Sequence, residues 1–221
     1  MIRKSSAFLV FLLLFGFVWA QETKPAFWND IQRFKSQDST NIPAKNAILF
    51  VGSSSFTKWT DVQEYFPGYK IINRGFGGSS LPDLIRYADD VIFPYQPKQI
   101  VIYCGENDLA TSDTVTSATV FRRFDTLFKM IRTRMPGVPV AFISLKPSPS
   151  RERLWPKMIE VNSMIKKYLK SKKNTAFIDV YHSMFNKDGT VMKNIFLEDD
   201  LHMNKKGYAI WQPIIKPYLK K

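Results

Sequence analysis

Four short polar segments of this 221-residue chain contain side chains that could carry out covalent chemistry on a carbonyl group. They are Gly52-Ser53-Ser54-Ser55, Gly75-Phe76-Gly77-Gly78-Ser79, Gly105-Glu106-Asn107-Asp108 and Asp199-Asp200-Leu201-His202. A serine hydroxyl becomes a nucleophile when a base removes its proton, and the base needs an orienting carboxylate. The oxyanion that then forms needs hydrogen-bond donors already in position. Each segment alone is common in loops, but together they supply every part of such a site.

Several residues compete for the same role. Ser53, Ser54 and Ser55 are adjacent, and each points in a different direction from a strand end. Both histidines of the chain follow an aspartate by three positions, as Asp179 precedes His182 and Asp199 precedes His202. Asp200 is a further carboxylate, but it is too close to His202 in the chain to reach back to the ring easily. The residues alone therefore leave the choice of serine, histidine and carboxylate open.

The elements that must position these residues alternate along the chain. Apolar runs predict five strands, at residues 47–51, 71–72, 99–104, 138–145 and 175–180. Helical periodicity predicts helices at residues 27–34, 81–92, 114–135, 155–170 and 205–218, the last one bent or interrupted at Pro213. In the helix at 155–170, Met158, Ile159, Ile165 and Leu169 are the expected buried residues.

Strands that alternate with helices predict an α/β fold, a three-layer α/β/α sandwich around a parallel sheet. The flavodoxin-like order 2-1-3-4-5 is a common solution with five strands, and its ligands bind beyond the carboxyl ends of the strands. Three of the four polar segments follow strands one, two and three, and the fourth precedes the last helix. The fold therefore predicts that they meet at one edge of the sheet.

Composition excludes several classes of site. A single cysteine rules out an internal disulfide, and with two histidines it cannot complete a Cys/His zinc cluster, so we expect neither a metal nor a cofactor. The net charge of +13 comes largely from lysines at helix ends and on polar faces. No aromatic residues alternate with arginines as a nucleic-acid stacking surface requires. We therefore expect no nucleic-acid partner.

The first twenty residues predict an export signal. Arg3 and Lys4 precede an uncharged run over residues 7–20 that is shorter than a membrane span, and small Ala20 ends it. We expect cleavage between Ala20 and Gln21, a single domain over residues 21–221, and a secreted or periplasmic protein without a lasting membrane anchor. An uncleaved anchor is the alternative.

The four segments, in this order, resemble the blocks of the SGNH hydrolases, also called GDSL esterases and lipases, over roughly residues 48–211. Ser53 stands where the family name implies Asp, and Gly-Ser-Ser-Ser followed by Trp59 is typical of a subgroup. The resemblance implies that Ser54 is the nucleophile, His202 the base and Asp199 its orienting carboxylate. It also implies an oxyanion hole formed by the Ser54 and Gly78 N–H groups and the Asn107 side-chain amide.

The resemblance predicts a secreted serine esterase that uses no cofactor and cleaves short acyl esters, such as acetyl esters of carbohydrate. A lysophospholipase or lipase-type acylhydrolase and a non-catalytic carbohydrate-binding relative are the alternatives. Nucleotide binding is disfavoured because the chain has no Gly-x-x-x-x-Gly-Lys-Ser/Thr phosphate cradle.

Other polar and aromatic residues near the four segments have structural interpretations. We interpret Cys104 as a small buried residue, Trp59 and Trp155 as packing residues, and Glu106 and Asp108 as turn or capping groups. A contact of Lys146 or Arg151 with the substrate is a hypothesis, based on their place after the fourth strand.

Overall fold

The computed structural model of the chain describes residues 24–221. Its five strands are β1 (Ile48–Gly52), β2 (Ile71–Gly75), β3 (Gln99–Tyr103), β4 (Val140–Ile143) and β5 (Thr175–Ile178). They pair in parallel in the order β2-β1-β3-β4-β5. The predicted α/β fold and strand order are therefore confirmed, whereas the predicted export signal lies outside the described residues.

Nine α-helices connect and flank the strands within the described range. They are α1 (Trp28–Thr40), α2 (Ser54–Thr57), α3 (Val62–Tyr65), α4 (Leu81–Arg86), α5 (Ala88–Val91), α6 (Glu106–Thr111), α7 (Ser117–Arg134), α8 (Trp155–Lys170) and α9 (Lys205–Ile215). Of the short helices, α2 and α6 matter most for the site, because they begin where β1 and β3 end.

Alternate residues of each central strand pack on opposite faces of the sheet. Leu49 and Val51 of β1 belong to one core cluster, whereas Ile48 and Phe50 belong to the other. The same alternation separates neighbouring residues of β3 and β4. Both faces of the sheet are therefore buried, as a parallel sheet requires.

Helices cover each face and complete the three layers. Residues of α1, α4, α5, α7 and α8 pack in the first cluster, and residues of α2, α3 and α9 pack in the second. Trp59 is fully buried in the second cluster and stacks on Tyr208 of α9, with ring centroids 4.6 Å apart. Cys104 is buried in the first. The packing roles predicted for these two residues are confirmed.

Three of the helix predictions differ from the structure. The helix predicted over residues 27–34 is longer, since α1 continues to Thr40. The helix predicted over residues 81–92 is broken at Tyr87, whose ψ of 15° ends α4 before α5 begins. The prediction that Ile159 is buried is wrong, because 51% of the residue is exposed. Met158 and Ile165 define the buried face of α8, and the next residue after Met158 is rotated by about 100° from it.

The terminal helix begins at the predicted residue, Lys205, but the interruption predicted at Pro213 does not occur. α9 continues through Pro213 and changes to a 3-10 turn only at Lys216–Tyr218. No helix among residues 24–221 is both long enough and apolar enough to cross a membrane.

The close approach of β1 to β3 at the end of β1 requires a glycine at position 52. Gly52 has a φ of 154°, and a Cβ added there would lie 1.9 Å from the carbonyl oxygen of Tyr103 on β3. Gly52→Ala should lower the free energy of unfolding by at least about 3 kcal/mol, because the two strands would have to separate. Urea unfolding followed by tryptophan fluorescence measures the change.

Gly137→Ala is the matched control, because a Cβ at Gly137 would meet no atom within 4 Å. It should change the free energy of unfolding by no more than about 1 kcal/mol. Equal unfolding midpoints for the two variants would show that the close approach at Gly52 is unimportant.

Candidate active site

The turn after β1 presents three serines in different environments. Ser53 is 4% exposed, and its N–H donates to the Tyr103 carbonyl (3.0 Å). Ser55 is also buried, and its hydroxyl has no hydrogen-bond partner among the described residues. Ser54, the first residue of α2, is partly exposed. Ser54 is therefore the serine of this turn whose hydroxyl an external ligand reaches most easily.

The glycine-rich loop after β2 is bonded to the serine turn. The Gly52 carbonyl accepts hydrogen bonds from the Phe76 N–H (3.0 Å) and from the Ser79 hydroxyl (3.2 Å). Between these two anchors Gly78 has a φ of 85°, which favours glycine. Within residues 24–221, no hydrogen bond uses the N–H of Gly78 or of Ser54. Both donors are thus available for an oxyanion.

Asn107, near the start of α6, joins the same group. Its Nδ2 donates to the Ser53 hydroxyl (2.7 Å) and to the Ser79 carbonyl (2.9 Å). The structure thus brings the predicted oxyanion residues to one place, with the Asn107 amide between the serine turn and the glycine-rich loop. Both hydrogens of this amide have partners in the described chain, so donation to an oxyanion requires the bond to the Ser53 hydroxyl to be exchanged for one to the oxyanion.

Asp199 and His202 form a hydrogen-bonded pair. Asp199 Oδ2 lies 2.6 Å from His202 Nδ1, and Oδ1 accepts the backbone N–H groups of Leu201 (3.0 Å) and His202 (2.9 Å). Because a carboxylate only accepts hydrogen bonds, the shared proton belongs to Nδ1. Nε2 of His202 therefore carries the lone pair that can accept a serine proton.

These bonds change the acidity of Asp199. Partial desolvation alone would raise the pKa of its carboxyl, but the hydrogen bonds from the His202 ring and the two N–H groups outweigh it and lower the pKa to about 2. The carboxylate is therefore ionised at neutral pH. Asp200 plays no part in this pair, which agrees with the choice of Asp199.

Two sets of bonds hold the histidine loop against the other segments. The Tyr208 hydroxyl on α9 donates to the Ser55 carbonyl (2.8 Å), which ties the helix after His202 to the serine turn. The Ser150 N–H and hydroxyl both donate to the Asp200 carbonyl (3.0 Å each). No hydrogen bond between the Ser54 hydroxyl and the His202 ring occurs in the described chain; such bonds often form only when substrate is bound.

The second Asp-x-x-His sequence forms a looser pair. His182 Nδ1 lies 3.2 Å from Asp179 Oδ2, and the His182 side chain is 81% exposed, against 18% for His202. It borders a different cavity, of about 190 Å³, with Phe177 and Lys166. His182 thus contacts Asp179 and the residues of this cavity rather than the serine turn. This favours His202 as the base.

A buried ion pair adjoins Asn107. Lys146, 1% exposed, contacts both carboxylate oxygens of Glu106 (2.9 and 3.2 Å) and donates to the Ser148 hydroxyl (2.7 Å). These bonds use all three ammonium donors. The structure therefore contradicts the hypothesis that Lys146 contacts the substrate. Glu106 is likewise an ion-pair residue rather than a turn or capping group.

Both members of this ion pair have shifted acidities. Burial alone would raise the pKa of Glu106, but the charges of Lys146 and Arg151 and the Tyr103 hydroxyl, which donates to the carboxylate (2.7 Å), lower it. Burial lowers the pKa of the Lys146 ammonium, and the Glu106 carboxylate opposes that shift. Sequence reasoning missed this cluster, because Lys146 comes from a segment 40 positions away from Glu106 along the chain.

Asp108 acts as a capping group, as predicted. Its Oδ2 accepts the N–H of Leu81 at the start of α4 (2.9 Å), and its Oδ1 accepts from Arg123 (2.8 Å). Trp155 also behaves as expected of a packing residue, since it lies edge-on to Phe185 with its indole N–H bonded to the Ser148 carbonyl (3.0 Å). Among the described residues, no group of three His, Cys, Asp or Glu side chains is placed to hold a metal ion.

A cavity of about 420 Å³ adjoins the histidine loop. The residues that line it include Asp200, Ser150, Trp155, Thr190 and Lys193. The lining thus combines an indole ring with several polar and charged groups.

Comparison with known proteins gives a family and a fold. A model of the GDSL-like Lipase/Acylhydrolase family matches residues 49–210. A GDSL-like lipase from Bacteroides thetaiotaomicron is 21% identical, covers 85% of this chain and 95% of its own, and has a TM-score of 0.69. A catalytic mutant of an acetylxylan esterase from Geobacillus stearothermophilus is 13% identical, with coverages of 80% and 95% and a TM-score of 0.64. At these identities the two structures establish similarity of fold. A search of curated proteins gave no match.

The acidity of Asp199 provides a direct test of the pair. With a pKa of about 2, the carboxyl should be almost fully ionised at pH 3.8, where an ordinary Asp side chain is half protonated. Carbon-13 NMR of protein with labelled aspartate measures this, with circular dichroism to verify folding. In His202→Ala the pKa should rise towards the ordinary value, because the ring donor is lost. A carboxyl half protonated near pH 3.8 in the unsubstituted protein would contradict the described geometry.

Proposed function

We propose that this chain, which belongs to the GDSL-like lipase/acylhydrolase family, is a serine esterase in which Ser54 is the nucleophile and His202 the base. The sequence-based predictions of the family and of a carboxylic ester hydrolase are confirmed at the level of this family. The residue roles, the substrate and the export of the protein are the content of the proposal.

One structural observation supports these roles above the others. The Asp199–His202 pair (2.6 Å) is carried by a loop whose following helix is bonded, through Tyr208, to the carbonyl of Ser55 (2.8 Å). A serine, an imidazole and an orienting carboxylate are thus part of one connected arrangement. This is the set of groups that acyl transfer by a serine requires.

In the first half of the reaction, the Ser54 oxygen attacks the ester carbonyl carbon as its proton moves to Nε2 of His202. The carbonyl electron pair moves to oxygen, where the N–H groups of Ser54 and Gly78 and the Asn107 amide stabilise the negative charge. The carbon–oxygen bond to the alcohol then breaks, and His202 returns the proton to the departing alkoxide. The products are the free alcohol and an ester between the acyl group and Ser54.

In the second half, a water molecule takes the place of the alcohol. His202 removes a proton from this water as its oxygen attacks the acyl carbon, and the same donors stabilise the second oxyanion. When the intermediate collapses, the Ser54 oxygen leaves and recovers a proton from His202. The acid is released and the enzyme is regenerated, with Asp199 ionised throughout.

The substrate class we favour is short acyl esters of carbohydrate, such as acetyl esters. A cavity of about 420 Å³ with an indole and several polar groups beside the histidine loop suits a hydroxyl-rich alcohol better than a long acyl chain. The acetylxylan esterase named above has the same fold, although at 13% identity it supports the substrate only by analogy. Release of acetate from acetylated xylo-oligosaccharides, and little hydrolysis of lysophosphatidylcholine, is the expected result.

Export is the second part of the proposal. A basic start at Arg3 and Lys4, an uncharged run and a small residue at Ala20 support cleavage before Gln21. Mass spectrometry of the protein recovered from its own host should give a chain that begins at Gln21, outside the cytoplasm. A membrane-bound chain that retains Met1 would support the uncleaved anchor instead.

The nucleophile can be identified by covalent labelling. A serine-reactive phosphonate should attach to Ser54, and Ser54→Ala should lower the hydrolysis of p-nitrophenyl acetate by about 10⁴-fold or more, because the covalent route is lost. Peptide mass spectrometry locates the label, and initial rates measure the loss.

Ser55→Ala is the matched control, since it removes the neighbouring hydroxyl without a hydrogen-bond partner, and it should keep most of the activity. The histidines provide a second matched pair: His202→Gln should lower the rate about as much as Ser54→Ala, whereas His182→Gln should leave it nearly unchanged. A label on Ser53 or Ser55, or equal losses for the two histidine variants, would contradict the assignment.

A further inference from the structure

Arg151 is placed to control the direction of the Asn107 amide. It belongs to the helical turn Pro149–Leu154, and its Nη2 donates to Asn107 Oδ1 over 2.8 Å. The Arg151 side chain is only 16% exposed. This contact joins a segment that follows β4 to the predicted oxyanion residue that follows β3.

An asparagine in an oxyanion hole works only in one orientation. Its two ends have nearly the same shape, but only the NH₂ end donates hydrogen bonds. Arg151 has no acceptor, so it selects the Oδ1 end of Asn107, and the Ser79 carbonyl (2.9 Å) has no donor, so it selects the Nδ2 end. The two contacts agree, and together they fix the direction in which the amide donates.

The charges around Asn107 also favour an oxyanion. Glu106 and Lys146 neutralise each other in their buried ion pair, with a closest approach of 2.9 Å. Arg151 Nε is 3.9 Å from Glu106, and Arg151 Nη1 is buried without a hydrogen-bond partner in the described chain. Lys146 and Arg151 thus bring two positive charges to the single carboxylate of Glu106, which leaves an excess of one positive charge beside Asn107. A guanidinium bonded to the amide oxygen also polarises the amide and strengthens its N–H donors.

We propose that Arg151 is a positioning residue for catalysis, which orients and polarises the Asn107 amide without touching the substrate. The proposal rests on the proposed esterase function, since it assigns to Asn107 the stabilisation of the oxyanion. It departs from the sequence-based hypothesis that Arg151 contacts the substrate, and it gives the residue a role through Asn107 instead.

A double-mutant cycle tests this role. Arg151→Met should lower kcat for p-nitrophenyl acetate by about 10-fold to 100-fold, the effect of losing one hydrogen bond to a charged group. KM should change by less than about threefold, since only transition-state stabilisation is lost. In an Asn107→Ala background, the same substitution should cost less than about threefold more, because its target is already absent.

Two further variants separate this role from a purely structural one. Arg151→Lys keeps the charge and one donor and should recover part of the lost kcat, and it also serves if Arg151→Met folds poorly. Arg153→Met is the control from the same turn: Arg153 pairs with Asp113 on the surface, where its side chain is 66% exposed, and its loss should leave kcat unchanged.

NMR of the Asn107 side chain tests the role of Arg151 independently of esterase activity. The side-chain NH₂ resonances of Asn107 in a ¹⁵N spectrum should shift in Arg151→Met but not in Arg153→Met. If the unsubstituted protein hydrolyses no ester, the proposed function fails, and the NMR shift still decides whether Arg151 holds Asn107. Unchanged Asn107 resonances, a rise in KM without a fall in kcat, or losses that multiply in the double variant would overturn the inference.

Discussion

An imidazole can act as the base for a serine only if the segments that carry the two side chains keep a fixed relation, and Ser54 and His202 lie 148 positions apart along the chain. The hydrogen bond from the Tyr208 hydroxyl to the Ser55 carbonyl (2.8 Å, 153 residues apart in sequence) provides that relation. It connects a helix that begins just after His202 to the short helix that begins at Ser54. Because Tyr208 also stacks on the buried Trp59, this connection is part of the core. The position of the proposed base, His202, therefore depends on the same packing that stabilises the fold.

Charge is organised around the site in two separate pairs. Asp199 is bonded to the His202 ring and remains ionised down to a pH of about 2, so in the proposed reaction it can orient and stabilise the imidazolium. In the second pair, Glu106 is matched by buried Lys146, and Arg151 contributes a further positive charge to the Asn107 amide. In the proposed mechanism, negative charge thus lies where the base becomes positive, and positive charge lies where the oxyanion becomes negative. In that mechanism the arrangement favours the transition state over the ground state.

The features of the fold and of the proposed site that the sequence predicts are those that depend on local patterns of residues. Apolar runs and helical periodicity predict the five strands and most helices, and the position of polar segments after strands predicts where the site lies.

Contacts between distant segments are harder to predict from the sequence. The buried contact of Lys146 with Glu106 joins residues 40 positions apart, and burial of a lysine contradicts its usual preference for solvent. The break at Tyr87 and the exposure of Ile159 depend on the tertiary packing of their helices, which single-sequence periodicity does not contain. The place of Arg151 after β4 predicts that it lies near the site, but its partner depends on how that turn packs against α6.

A crystal structure of the protein after reaction with a phosphonate that mimics the tetrahedral intermediate would show whether Ser54, His202 and the oxyanion donors act together. We expect phosphorus bonded to the Ser54 oxygen, with Nε2 of His202 within hydrogen-bonding distance of that oxygen. We also expect a phosphoryl oxygen about 2.7–3.1 Å from the Ser54 and Gly78 N–H groups and from Asn107 Nδ2. An adduct on another residue, or a phosphoryl oxygen that points to solvent away from these donors, would contradict the proposed mechanism.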